Sequence, residues 1–353
     1  MTNKQRQEFR KECRERDNNT CVVPWCEDTP DEVHHLIERR EWKSGGYIPD
    51  NGASVCNKHH RYAERNMIPP QAFWLWIGVN SPVTPEGMGE DVDKWGKPID
   101  TPPWKEHRER VKYPSSRHLP FSNVGDDDDT YHRQVDCFLD TPLVVTEKID
   151  GSNAMLIKDT EHPVRARNGK RAGHKSFDLL KDLYWENNVH SKIPENVQVF
   201  GEWVYAKHSI HYGCNCDDGC VDVGSSVTEL VDGYDNERAY FQVFGVYHME
   251  YDTWLSWPTT ERIADDIGFP TTPVIDVTDE RDKPMFTNEN QFYDKVYQTA
   301  QEVINNGGEG VVVRSKFPYH YGQFGKRLGK YVRENHVKTD EHWKHTKLIR
   351  NQL

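Results

Sequence analysis

Two sets of residues have the types and spacing to do chemistry. The first is Cys21-x4-Cys26, followed by Cys56-x2-His59. Each pair has the spacing of a zinc knuckle. Together they supply four ligands for tetrahedral Zn2+, and a metal so held replaces the core that a small domain lacks. Free buried thiols would leave the pairing unexplained. The second is Lys148 in VTEKIDGSN, residues 145–153. A lysine amine is a nucleophile once it is neutral. The tetrapeptide Lys-x-Asp-Gly is also an ordinary strand-end turn, so alone it says little. Its weight comes from an ordered series of blocks further along the chain: ARNGKR (166–171), FGEWVYAKHSIHY (200–212), FQVFGVY (241–247), GGEGVVVRS (307–315) and GKYVRENHVKTDEHW (329–343). Each sets charged or polar residues at the end of an apolar strand, where neighbouring strands converge on one ligand. A third group, Cys214, Cys216 and Cys220 with His208 and His211, reads as a second zinc site or, more plainly, as a loop of free thiols.

Short β-branched or aromatic runs must carry these residues. LVVTEKI, AMLIK, VQVFGEWVY, YFQVFGVY and GVVVR predict strands. FDLLKDLYWENN and NQFYDKVYQTAQEVINNG predict helices, the second closed by Asn-Gly-Gly. Several strands are hairpin-spaced, which predicts an α+β domain on antiparallel sheets. Composition divides the chain into a Cys/His-rich part (1–80), a Pro-, Gly- and acid-rich linker (81–106) and the strand-rich remainder (107–353).

The 353 residues leave room for two domains, and 11 Trp, 16 Tyr and 13 Phe can build their cores. No apolar run approaches the roughly 20 residues that span a bilayer. The charged start, MTNKQRQEFRKECRERDNN, lacks the apolar stretch of a secretory signal. A cytoplasmic, reducing setting is expected, with the eight cysteines as metal ligands or thiols rather than disulfides. The net charge of −12 argues against coating nucleic acid over the whole surface. A local basic cleft stays compatible with it.

From Lys148 onward the ordered blocks resemble the covalent nucleotidyltransferase superfamily, and within it the ATP-dependent RNA ligases. VKYPSSRHLPFS (111–122) adds to the likeness, which spans about 107–345. The resemblance implies a three-step reaction. Lysine takes AMP from ATP, AMP passes to a 5′-phosphate end, and a 3′-hydroxyl displaces it. Carried over, Lys148 is the nucleophile. Glu202 holds the ribose or Mg2+ (or Mn2+), Glu309 the metal, and Phe244 stacks on adenine unless it is ordinary core. Lys330 or Lys338 serves the last motif, with the choice between them open. Chemistry adds that Arg167, in competition with Arg165, Lys170 and Arg171, offers a planar fork for phosphate or ribose, and Asn153 an amide for phosphate. It also requires a neutral Lys148, with a pKa well below the reference of about 10.4. Lys330, Lys338 and Mg2+ are expected to lower it. One departure is Gly245, where the family commonly has Asp. An OB-fold is not expected after the last motif, and substrate clamping is then expected from the N-terminal part or from 107–140.

Residues 18–66 resemble the HNH (ββα-metal) endonucleases through His34-His35, Asn51 and His60. That resemblance implies His35 as general base, Asn51 orienting it, and His34 and His60 on a catalytic divalent metal. Two histidines without a carboxylate make a thin metal site, so a non-cleaving nucleic-acid module is the alternative.

The expected fold is α+β. An antiparallel-sheet nucleotidyltransferase core of the ATP-grasp-like ligase kind is preceded by a small HNH-like zinc domain. The expected function is ATP-dependent joining of RNA 5′-phosphate and 3′-hydroxyl ends, in RNA repair or processing, with ATP, Mg2+ and structural Zn2+ and without a membrane. The rivals are a DNA nick-sealing ligase, a nuclease whose ligase-like part only binds ends, and an enzyme that adds AMP without joining.

Overall fold

A computed structural model describes residues 3–103, 112–122, 130, 132–213, 237–279, 281–333, 348–351 and 353. The chain forms two compact units. One holds Met1–Lys105, His248–Leu255 and Phe317–Gln323; the other holds Glu106–Tyr247, Ser256–Lys316 and Phe324–Leu353. Among the described residues no helix is long and apolar enough to cross a membrane.

The first unit runs α1 (Asn3–Arg16), β1 (Glu32–His35), β2 (Gly52–Val55), α2 (Asn57–Glu64) and α3 (Pro70–Ile77). β1 and β2 pair antiparallel, with His34 opposite Ala53 and His35 opposite Gly52. α1 is charged almost throughout, and only Phe9 and Cys13, one turn apart, are buried. That narrow apolar face is too short to announce a helix in sequence. It is held by Arg16, which donates to the carbonyls of Pro49 at 2.7 Å and Gly52 at 2.6 Å.

Residues 81–103, expected as a linker, are packed into this unit instead. Gln71 donates to the Val92 carbonyl at 2.9 Å. Lys94, only 2% exposed, pairs with Glu64 at 2.8 Å and Glu38 at 3.3 Å. Polar composition suggested solvent, but a lysine with two carboxylate partners is tolerated inside. Two later excursions of the chain also join this unit. Tyr251 donates to Asn80 at 2.8 Å, and the Phe317 ring lies 4.9 Å from that of Tyr62.

The second unit contains β3 (Arg117–His118), β4 (Leu143–Glu147), β5 (Ser152–Ile157), β6 (Val164–Ala166) and α4 (Asp178–Glu186). It continues with β7 (Val197–Trp203), β8 (Phe241–His248), α5 (Trp257–Ile267), β9 (Val274–Val277), α6 (Glu289–Asn305), β10 (Gly310–Ser315) and β11 (Leu328–Val332). All five strands and both helices read from sequence are present. One sheet has the order β9-β4-β10-β11-β3, antiparallel except for the β11–β3 pair. The other includes β8-β7-β5-β6.

β4 is buried at every position, including Thr146 and Glu147 after its apolar Leu-Val-Val start. α6 lays Phe292, Val296 and Ala300, spaced by one turn, against Val145, Val311 and Val313. Each fully buried side chain of the larger kind stabilises by about 1.5–3 kcal/mol. A charge at Val296 would break this face.

Candidate active site

β4 ends at Glu147, and Lys148 follows with its backbone N–H on the Gly310 carbonyl at 2.9 Å. β4 and β10 are neighbours, with Val311 opposite Glu147. That register brings the residue before β10, Glu309, under the lysine. Lys148 Nζ lies 2.6 Å from Glu309 Oε2. Gly310 sits at φ 151°, and a Cβ there would run into the Tyr331 carbonyl of β11. Only glycine lets the Glu309 turn approach β11 so closely. The glycine of Lys-x-Asp-Gly has a similar reason: a Cβ on Gly151 would stand 2.8 Å from the Trp203 carbonyl.

Lys148 lines a cavity of about 1040 Å³ whose wall also includes Asn153, Arg167, Glu202, Phe244 and Lys330. The structure thus brings together six of the eight residues expected around a nucleotide. Glu309 stands behind Lys148, 6% exposed. Lys338 lies outside the described residues, as do Cys214, Cys216 and Cys220. Asn153 faces Glu202 across the β5–β7 ladder, and its Oδ1 is buried without a hydrogen-bond partner. Arg167 donates to Ser115 Oγ at 3.1 Å. Phe244 is 8% exposed, and the Tyr113 ring stands edge-on to it at 4.9 Å.

The electrostatics differ from the expectation at Lys148. Burial works against its ammonium, but the carboxylates of Glu309 and Glu202 outweigh it, and the pKa is raised rather than lowered. Lys330 had suggested a cationic surround. The nearest partner is instead an anion, so the amine is charged in this state. Burial, reinforced by Glu309 and Asp150, pushes Glu202 up to about 8 although Lys148 opposes it. Asp150 goes up to about 6, again through burial and Glu309. Both shifts come first from burial, with neighbouring carboxylates adding to it. Their oxygens are of the type that a divalent cation takes.

Sequence reasoning missed two cavity residues. Arg314 continues the β10 alternation. Val311 and Val313 enter the core, while Val312 and Arg314 line the cavity. Arg314 donates to the Phe244 carbonyl and to Thr146 Oγ1 at 3.3 Å. The period of two was readable from the sequence. Tyr113, which packs against Phe200 as well as Phe244, had no local signal beyond its place in VKYPSS.

In the first unit Cys21, Cys26, Cys56 and His59 converge, with all four ligand atoms within 4.8 Å of one another. Cys26 and Cys56 Sγ are 3.8 Å apart, and His59 Nδ1 lies 3.2 Å from Cys56 and 3.4 Å from Cys21. A tetrahedron with Zn–S bonds of about 2.3 Å has edges of roughly 3.7 Å. The donors fit zinc in type and spacing. The sulfurs also drive one another apart in acidity: Cys21 and Cys56 raise the Cys26 thiol, and Cys21 and Cys26 lower that of Cys56.

The β1–β2 hairpin and α2 assemble a second group. His34 Nδ1 lies 3.1 Å and His60 Nε2 3.5 Å from Glu64 Oε1. Glu64 is one helical turn after His60, and that spacing was the signal that could have found it. It supplies the carboxylate that two histidines lacked. The bond from His34, helped by Lys94, holds Glu64 down at about 2. His35 is stacked on Phe9 at 4.9 Å and edged by Tyr47 at 5.2 Å. Burial and the Arg39 cation lower its pKa to about 4, so the imidazole is neutral. The Asn51 amide does not reach His35. It brackets Ile37, accepting from its N–H at 2.8 Å and donating to its carbonyl at 3.0 Å.

No curated protein matches the chain. Among solved structures it is similar to an RNA ligase of Naegleria gruberi with ATP and Mn, at TM-score 0.37 and 14% identity over 68% of this chain and 62% of that one. The match therefore spans less than two thirds of that ligase's length. The same organism's RNA ligase with pyrophosphate gives 0.38 and 13% over 80% and 70%, and an archaeal ATP-dependent RNA ligase 0.38 and 13% over 78% and 64%. A family model described as RNA ligase matches residues 141–332, more than half of the chain. That span runs from β4 to the end of β11 and takes in Lys148, Glu202, Glu309 and Lys330. The chain belongs to the RNA ligase family.

Proposed function

We propose that the protein is an ATP-dependent RNA ligase acting through a covalent lysyl-AMP on Lys148. One observation carries the reading: the Lys148 amine, 2.6 Å from Glu309, lines the large cavity of a chain in the RNA ligase family. The Lys148 nitrogen attacks the α-phosphorus of ATP. The N–P bond forms, the bond to the bridging oxygen breaks, and pyrophosphate leaves. The ammonium must first give up a proton, and Glu309 Oε2 is an acceptor within reach. Arg167, Lys330 and the Asn153 amide bind phosphate oxygens from the cavity wall. Glu202 and Glu309 would hold Mg2+ or Mn2+, which when bound screens phosphate charge. AMP then passes to an RNA 5′-phosphate, and a 3′-hydroxyl attacks that end and releases AMP. RNA repair or processing in the cytoplasm is the proposed setting.

The test is incubation with α-labelled ATP and Mg2+, followed by denaturing electrophoresis. A labelled protein band that is lost in Lys148→Ala is expected. An unlabelled wild type, with no AMP already attached by mass, would overturn the reading. Sealing of nicked RNA and DNA duplexes separates the RNA ligase from its DNA counterpart. Label transfer without a phosphatase-resistant joint would indicate adenylylation alone.

For the first unit we propose an HNH-like nuclease centre beside a structural zinc. The three-ligand group of His34, His60 and Glu64, with a neutral His35 next to it, favours cleavage over mere binding. His35 takes the proton of water; the metal, when bound, stabilises charge on the scissile phosphate. Metal-dependent nicking that is lost in His35→Ala supports this reading. Equal nicking by that variant overturns it.

A further inference from the structure

Residues 204–212, which follow β7, are tied on one side to the loop that carries Lys148. Asp150 donates its backbone N–H to Tyr212 Oη at 2.8 Å and accepts from the Ile210 N–H at 2.7 Å through Oδ2. Ser152 Oγ and His208 Nε2 are 3.1 Å apart. Three bonds thus land on the four residues after the nucleophile, and the Asp150 pair fixes both backbone and side chain two residues from it.

On its other side the same segment is held by the end of the chain. Asn351 is fully buried. Its Oδ1 accepts from the Tyr212 N–H at 3.0 Å, and its Nδ2 donates to the Val204 carbonyl at 2.6 Å. Its backbone N–H donates to Tyr205 O at 3.0 Å, and its carbonyl accepts from Tyr240 Oη at 2.7 Å. Four polar groups of one asparagine are therefore spent on this segment and its neighbour Tyr240. The Lys207 N–H on Ile349 O at 2.8 Å and the Arg350 guanidinium 5.2 Å from the Tyr205 and Tyr240 rings complete the dock. A buried amide bonded through both its oxygen and its nitrogen is held in one orientation.

We infer that Asn351 is a positioning residue for the nucleophile. It acts through Tyr212 and Asp150 to set where the Lys148 amine stands, an inference that rests on Lys148 as the adenylylated residue. The path has two side-chain links, Asn351 Oδ1 to the Tyr212 backbone and Tyr212 Oη to the Asp150 backbone. Lys148 itself is anchored through its own N–H to Gly310, so the loop is clamped at both ends. Loss of either link frees one end of the clamp. Displacing a nucleophile by about 1 Å costs on the order of 100-fold in rate.

The experiment is single-turnover labelling of the full chain with α-labelled ATP across a range of ATP concentrations. Variants are Asn351→Ala, Asn351→Asp, Tyr212→Phe and Lys148→Ala. Asn351→Ala and Tyr212→Phe are expected to slow labelling at saturating ATP by about 10- to 100-fold. Half-saturating ATP should move by less than about threefold, because nucleotide contacts are untouched. Asn351→Asp keeps an acceptor for the Tyr212 N–H and should recover part of the rate. Tyr212→Phe removes a single oxygen, which keeps the test alive should Asn351→Ala fold poorly. Variants in which a smaller fraction labels at the wild-type rate constant would show a folding role alone and overturn the inference. Wild-type rates in both Asn351→Ala and Tyr212→Phe would do the same and leave the Lys148 reading standing. A wild type that never labels would overturn both.

Discussion

Lys148 Nζ and Glu309 Oε2 stand 2.6 Å apart although 161 residues separate them in the chain. The pair explains why the amine is held as ammonium despite burial. Neutralising Glu309 should free it. In Glu309→Gln the lysine is expected to react faster with an acylating reagent at pH 8, with its titration midpoint shifted down. Labelling by ATP should nevertheless fall by about 100-fold or more, since the acceptor carboxylate is gone. Peptide mapping by mass after acylation reads the first effect and α-labelled ATP the second. Unchanged Lys148 reactivity would show that the ion pair does not control the amine.

Asp150 contributes a pH dependence of known sign. Its folded pKa of about 6 lies above the ordinary carboxylate value, mainly through burial. The folded state therefore keeps a proton that the unfolded state loses, and stability falls as pH rises from about 4 through 6. Thermal melts at pH 5 and pH 7.5 should show that loss in the wild type. Asp150→Asn, which keeps an acceptor for the Ile210 N–H, should show a smaller one. An identical drop in both proteins would rule Asp150 out as its source.

The Cys/His group predicts bound zinc with structural weight. Cys21→Ser or Cys56→Ser should abolish zinc retention, measured by elemental analysis. It should also destabilise the first unit by several kcal/mol, since metal-binding free energy is folding free energy in such sites. Limited proteolysis would then cut between residues 20 and 60. A purified wild type free of zinc and indifferent to chelators would contradict this.

Glu64 should matter to nicking and not to adenylylation. Its carboxylate joins His34 and His60 and lies in the first unit, whereas Lys148 lies in the second. Glu64→Gln is expected to lower metal-dependent nicking by about 10- to 100-fold while AMP labelling stays at the wild-type rate. Loss of labelling as well would point to general unfolding.

Cutting the chain at residue 106 should not yield a well-behaved ligase fragment. Tyr251 and Phe317 belong to the second half of the sequence but are buried with Trp74, Val55 and Ala63 in the first unit's core. A fragment of 107–353 would expose both side chains and is expected to aggregate or melt early. Size-exclusion profiles and melts of the fragment against the full chain measure this.

Much of this protein was determined locally. The strand-forming runs around Lys148, Glu202, Phe244 and Glu309 are β-branched or aromatic over five to eight residues, enough to specify a strand by themselves. Two knuckle pairs state their ligand spacing within a few residues. Helix α1 and the packing of 81–103 were not legible, because charged sequence shows burial only where a partner such as Gly52, Glu38 or Glu64 lies elsewhere in the chain. The same holds for the chemistry. The ordered blocks and the family likeness named Lys148 and Glu309, but only strand register made them an ion pair and reversed the expected direction of the lysine's pKa. The placement of Glu64 beside His34 and His60, and of Asn351 against Tyr212, was likewise decided by tertiary structure. Hydrophobic periodicity is a property of neighbours along the chain, whereas burial, charge coupling and ligand geometry are properties of neighbours in space.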